Sequence, residues 1–304
     1  MTVPAARRIR LAVTLGDPRG IGAEIVRKAL ADTAVIESCE AVVVGPTGLE
    51  VAPAVATGEW TPRMGEAAAG RLSGLAIERA VAMAYAGDVD GIVTAPIDKH
   101  ALLAGGYDYP GHTEMLAALT GCATAMMLAS DLLRVVLATT HIALREVPHA
   151  LTRDVMANSV RMTRAGLRKW FGIGEPRIAL CAINPHAGDG GRFGTEDETL
   201  LGPIAREEGA LGPFAADTVF VRAIRGEFDA VIAPYHDVGM TAIKVASFGR
   251  AVNVTLGLPF PRTSPDHGTA LDIAGKGVAD AGSMVQAMLW CARMARRGEE
   301  LQPL

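Results

Sequence analysis

Three of the seven histidines stand just past short apolar runs: His141 after residues 133–140, His186 after 177–184 and His236 after 230–235. Each run reads as a strand, and in open α/β sheets ligands bind outside the carboxyl ends of the strands. An imidazole delivered there from each of three strands suits a single divalent metal. One such histidine alone more often has a satisfied structural role; the same placement repeated three times favours the metal. Asp237 directly follows His236, and Asp217 lies in the segment Ala216-Asp217-Thr218. Either acid is of the type that orients an imidazole or completes a metal shell. Either also suits a helix cap or an exposed surface.

A second group of residues suits an anion. Gly111-His112-Thr113-Glu114 reads as a loop entering a helix, where free N–H groups, a hydroxyl and an imidazole can receive an oxyanion; the plainer reading is a capped helix. Lys244, Asn253 and Arg262 follow His236 at intervals of eight, nine and nine. A point charge, an amide and a forked guanidinium match phosphate and carboxylate. Lys99 also follows a strand-like run. The stretch Asn184-Pro185-His186-Ala187-Gly188-Asp189-Gly190-Gly191 is rich in glycine, which lets backbone approach a ligand closely.

The elements that would carry these residues alternate. Strands are expected over 9–15, 41–44, 91–94, 133–139, 177–182, 230–233 and 252–256. Helices are expected over 21–31, 71–86, 113–119, 153–170, 196–208 and 281–295. Nearly continuous apolar strands between amphipathic helices imply an α/β fold with a mostly parallel or mixed sheet. Breaks are expected in the glycine-rich stretch 105–111 and the proline-rich stretch 259–265. Gly16-Asp17-Pro18-Arg19-Gly20-Ile21-Gly22 has the wrong spacing for a Rossmann loop, and Pro18 intrudes. No Walker A loop and no G-x-S-x-G elbow is present.

The bulk numbers agree. At 304 residues, half of them hydrophobic and few aromatic, the chain reads as a compact α/β enzyme. A net charge of −4 provides no basic field for nucleic acid or an anionic membrane. Residues 11–15 are too short for a signal-peptide core, and no run approaches a membrane span. Cys39, Cys122, Cys181 and Cys291 form no C-x-x-C pair and read as free thiols in a reducing cytoplasm.

Taken together, the stretches TLGDPRGIGAEI, PGHTEML, RVVLATTHIALREV, INPHAGDGGRFGTED, DAVIAPYHDVG and VNVTLGLPFPRTSPDHGTALDIAGKG resemble the 4-hydroxythreonine-4-phosphate dehydrogenase family along almost the whole chain. The resemblance implies an isocitrate/isopropylmalate dehydrogenase-like fold, not a Rossmann fold. It has two α/β domains with an interdomain cleft, here residues 1–108 plus 266–304 on the cofactor side and 109–265 for metal, substrate and dimerisation. It implies a homodimer with the active site at the subunit interface. His141, His186 and His236 would hold one divalent metal per subunit (zinc, magnesium, manganese or cobalt). His112, Thr113, Lys244, Asn253 and Arg262 would contact substrate.

The segment Asp266–Asp272 resembles the cofactor loop of isopropylmalate dehydrogenases, so His267, Gly268, Thr269 and Asp272 would bind the nicotinamide cofactor. An acid at Asp272 accepts from ribose hydroxyls and repels a 2′-phosphate, favouring NAD, with NADP as the alternative. The implied reaction is oxidation of the secondary hydroxyl of 4-hydroxythreonine 4-phosphate, then decarboxylation to 3-amino-2-oxopropyl phosphate. Proton-relay candidates are His112, Lys244, Asp217 and Asp237. Val238 replaces the family's usual Gln, Asp98 replaces a His, and the region after Val44 is short. These departures leave a D-threonate/D-erythronate 4-phosphate dehydrogenase of the same family as the alternative. The alternative of another class is a non-catalytic phosphometabolite-binding protein.

Overall fold

The computed structural model describes residues 7–247 and 250–300. Its strands are β1 (Arg10–Thr14), β2 (Glu40–Thr47), β3 (Val55–Glu59), β4 (Gly91–Thr94), β5 (Ala125–Ala129), β6 (Arg134–Leu137), β7 (Ile178–Cys181), β8 (Leu211–Phe214), β9 (Ala230–Ala233), β10 (Val252–Leu256) and β11 (Arg262–Pro265). They divide between two compact units, residues 1–123 with 258–304 and residues 124–257.

In unit one the strand order is β3-β2-β1-β4-β11, and every pairing is parallel. The helices Gly22–Leu30, Glu66–Ala86 and Gly282–Glu300 cover it. Glu66–Ala86 buries Leu72, Ala76, Ile77, Ala80 and Val81, a spacing of three to four that puts them on one face. It ends because Gly87 takes a left-handed conformation at φ 74°, where its N–H and that of Asp88 satisfy the last carbonyls. Leu258, Phe260, Met115 and Leu116 pack into the same core as Ile77 and Ile92. That packing draws residues 109–123 and 258–265 into unit one. The breaks therefore fall after Ala123 and before Leu258, rather than after 108 and 265 or within 105–111 and 259–265.

Unit two has the order β10-β5-β6-β9-β7-β8. β10, β5 and β6 pair antiparallel; β6, β9, β7 and β8 pair parallel. The helix Arg153–Phe171 starts where the Thr152 side chain accepts the Val155 N–H and stops at Gly172, φ 69°. It buries Met156, Val160, Thr163, Leu167 and Trp170 along one stripe. Each large apolar side chain so buried contributes roughly 1.5–3 kcal/mol.

All seven expected strands are present, four others were not anticipated, and the helices Thr33–Ser38, Lys99–Ala104, Ala216–Ile224 and His236–Ser247 are further additions. The expected helix over 196–208 is a π turn, Asp197–Leu201, running into Gly202–Glu207. Among the described residues, no helix is long and apolar enough to cross a membrane.

Candidate active site

The three histidines follow three adjacent parallel strands. β9 lies between β6 and β7, with Leu137 opposite Ala233 and Leu180 opposite Ile232. His141 comes four residues after Leu137, His236 three after Ala233 and His186 five after Cys181, all past the same end. Adjacent strands lie about 4.8 Å apart, so imidazoles from neighbouring strand ends are within reach of one ion.

The rings of His141 and His236 have centroids 5.7 Å apart and tilt by 44°. Two imidazoles sharing a tetrahedral ion at about 2.1 Å have centroids roughly 5–6 Å apart, so this pair fits a metal. Asp237 Oδ1 lies 2.7 Å from His236 Nδ1. An Nδ1–H donated to that carboxylate leaves Nε2 with the lone pair a metal takes. The sequence left Asp237 either to orient an imidazole or to complete the shell; here it contacts the imidazole. Among the described residues no three His, Cys, Asp or Glu side chains of the single chain already form a metal-holding group. His186 sits exposed on its own loop.

Gly239 explains how His236 reaches the strand ends. A Cβ there would lie 2.5 Å from Leu137 Cδ2 and 3.0 Å from Ala233 Cβ. Only glycine lets the first turn of His236–Ser247 settle onto β6 and β9. Val238 beside it packs against the unit-two core and lines a cleft of about 420 Å³ with Phe220, Tyr235, Asp237 and Ala242. Lys244 stands exposed in the last turn of the same helix, roughly 12 Å along the axis from His236. Asp217 is exposed in the first turn of Ala216–Ile224, which packs beside the His186 loop. Asn253, on β10, has its Oδ1 buried without a protein partner.

In unit one, Arg262 and His112 form a second focus. Arg262 is 1% exposed on β11, a strand of polar residues held by its pairing to β4. Its Nη2 donates to Thr94 Oγ1 at 2.5 Å. Burial lowers its pKa to about 10, opposed by Cys291 and Glu114, so it remains a cation at neutral pH. His112 opens the helix His112–Thr120, and no side chain caps that end. Its Nε2 is enclosed with no protein partner. Burial first, and the Arg262 charge second, push the His112 pKa well below the ordinary imidazole value. A cation, an imidazole with its pKa lowered, Thr113 and uncapped helix N–H groups are the chemistry that would suit an anion. Asp98 serves locally: its carboxylate accepts the Ala101 N–H and lies 3.5 Å from Arg19.

His267, Gly268 and Asp272 are exposed, and Thr269 is half-buried. The Thr269 carbonyl accepts the Ile21 N–H at 3.0 Å. A Cβ on Gly20 would sit 2.8 Å from that oxygen. The 16–22 turn, which has the wrong form to cradle a dinucleotide, thus braces the 266–272 loop. Residue types and spacing signal neither this support nor the part of Asp17, whose buried carboxylate holds Arg19 by 2.8–3.1 Å bonds.

The fold is an α/β fold of the isocitrate/isopropylmalate dehydrogenase-like class. The isocitrate dehydrogenase of Methylococcus capsulatus shares the fold at TM-score 0.51 and 16% identity, covering 96% of this chain and 88% of its own. The chain belongs to the family described as pyridoxal phosphate biosynthetic protein PdxA, matched over residues 12–291. It is 42% identical over 317 residues to 4-hydroxythreonine-4-phosphate dehydrogenase of Desulfosudis oleivorans, covering 91% of this chain and 94% of that one. The crystal structure of the enzyme of that name from Klebsiella pneumoniae superposes at TM-score 0.85 with 37% identity, covering 96% and 99%. The chain is accordingly an oxidoreductase acting on a CH–OH group in pyridoxal phosphate biosynthesis.

Proposed function

We propose that the chain oxidises the secondary hydroxyl of 4-hydroxythreonine 4-phosphate with NAD and one divalent metal, and that the resulting 3-oxo acid loses carbon dioxide to give 3-amino-2-oxopropyl phosphate. The observation that carries this reading is the His141–His236 pair, 5.7 Å apart at the ends of β6 and β9.

His141, His186 and His236 would hold the metal, the shell being completed in a homodimer with its active site at the subunit interface. When bound, a divalent metal supplies Lewis-acid polarisation of the hydroxyl and stabilises the enolate left by decarboxylation. NAD supplies the hydride acceptor. Asp237 holds His236 in the tautomer that presents Nε2. Arg262, His112 and Thr113 receive the phosphate, and the buried Oδ1 of Asn253 takes a substrate N–H or O–H. His112 stays neutral at working pH, so it donates to the phosphate without adding charge beside Arg262.

Proton transfer falls to one or more of Lys244, Asp217, Asp237 and His112: one proton leaves the hydroxyl, and one arrives at the carbon that loses carbon dioxide. His267, Gly268 and Thr269 flank the cofactor, and Asp272 accepts from its ribose hydroxyls. NADP, whose 2′-phosphate that acid repels, is the weaker partner. A cytoplasmic location follows from this biosynthetic role.

The test is reduced-nicotinamide absorbance with NAD and each of 4-hydroxythreonine, D-threonate and D-erythronate 4-phosphates, with and without a chelator. Fastest turnover on 4-hydroxythreonine 4-phosphate, lost with chelator, is expected. Faster turnover on threonate or erythronate phosphate would transfer the assignment to that substrate. Binding without turnover on all three would make the chain a phosphometabolite-binding protein.

A further inference from the structure

His186 occupies an unfavourable backbone. Its φ is 53° and that of Ala187 is 56°; Gly188, Asp189, Gly190 and Gly191 continue the left-handed run at 87°, 46°, 65° and 90°. Side-chain-bearing residues adopt this region only when their surroundings hold them there. The residue placed to do so is Asp197, which is 1% exposed. Its Oδ1 accepts the Ile183 N–H at 2.9 Å and its Oδ2 accepts the Asn184 N–H at 3.0 Å. Two successive amides at the end of β7, just before His186, thus share one buried carboxylate.

The neighbouring Glu196 Oε2 accepts from Asn184 Nδ2 at 2.8 Å. Across the loop, the Phe193 N–H donates to the Gly188 carbonyl at 3.1 Å. Asp197 also opens the five-residue π turn Asp197–Leu201, a form of helix often found at functional sites. An asparagine would offer one acceptor where two N–H groups need two, so a carboxylate is the side chain that fits.

We propose that Asp197, seconded by Glu196, is a positioning residue that holds His186 in its metal-binding conformation. The inference rests on the metal reading above. It concerns the two acids of the GTED segment, to which that reading gives no role.

The test is titration of the full chain with Co2+, followed by visible absorption and calorimetry, in wild type, Asp197→Asn and Gly194→Ala. A Cβ at Gly194 would lie 2.6 Å from both Asn184 Nδ2 and Glu196 Oε2, wedging open the same strap without touching Asp197. Both variants are expected to bind cobalt roughly 10–100-fold more weakly, the range for lost outer-shell partners. Far-UV circular dichroism should be unchanged, and kcat at saturating cobalt should stay near wild type. Amide exchange at Ile183 and Asn184 should quicken in Asp197→Asn. A purely structural role would lower the melting temperature and leave cobalt affinity alone. If Asp197→Asn does not fold, Gly194→Ala decides. Folded variants with wild-type cobalt affinity would overturn the positioning role while leaving the metal reading standing. A wild type that takes up no cobalt would overturn both.

Discussion

His141 and His236 bring their ring centroids to 5.7 Å from each other from the ends of neighbouring strands β6 and β9, with Asp237 Oδ1 2.7 Å from Nδ1 of His236. Removing one ring should cost far more metal affinity than removing its orienting acid. His236→Ala is expected to lose cobalt binding and turnover, with the fold intact by circular dichroism. Asp237→Asn should weaken binding by roughly 10–100-fold. Equal losses in the two variants would show that Asp237 is itself a ligand.

Arg262 is a buried fork beside an imidazole held neutral. Arg262→Lys keeps the charge and loses the planar fork that makes two parallel N–H contacts. KM for the phosphorylated substrate should rise by about 1–3 kcal/mol in binding, and KM for NAD should stay put. Steady-state kinetics with each substrate varied in turn separates the two.

The pH dependence of stability follows from His112. Its folded pKa lies below the unfolded value of 6.5, so the unfolded chain binds more protons as pH falls through that value. His112 thus contributes stability that is fully present above pH 6.5 and lost below it. Urea midpoints taken from about pH 7.5 to about pH 5.5 should fall more steeply in wild type than in His112→Gln. Parallel slopes would mean that His112 is already charged in the folded protein.

Two glycines carry structural weight at the site. Gly239→Ala puts a Cβ 2.5 Å from Leu137 Cδ2 and should destabilise the fold by about 1–3 kcal/mol while weakening metal binding, because His236 moves with its helix. Gly20→Ala presses on the Thr269 carbonyl at 2.8 Å. It should raise KM for NAD severalfold with little change in cobalt affinity. Denaturant titration and nicotinamide saturation curves check these outcomes.

Much of this was legible because the chemistry sits next to regular strands. β4, β9 and β10 are apolar runs with clear ends, and the histidines follow such runs. β11 was not legible: Arg262-Thr263-Ser264-Pro265 reads as a polar turn, and only its pairing to β4 makes it a buried strand. The helix His236–Ser247 was missed because its first turn is polar and contains glycine, and that glycine is selected by contact with β6. β5 and β8 carry alanine, methionine, glycine and proline in place of β-branched residues. The strap of Asp197 across the His186 loop depends on contacts between segments, which residue spacing along the chain does not encode.

The most direct measurement is an anomalous difference map from crystals of the full chain grown with Co2+. One strong peak should lie about 2.0–2.3 Å from imidazole nitrogens of a His141, a His186 and a His236. A cobalt peak held by other residues, or none at these three rings, would contradict the metal centre on which the proposed chemistry rests.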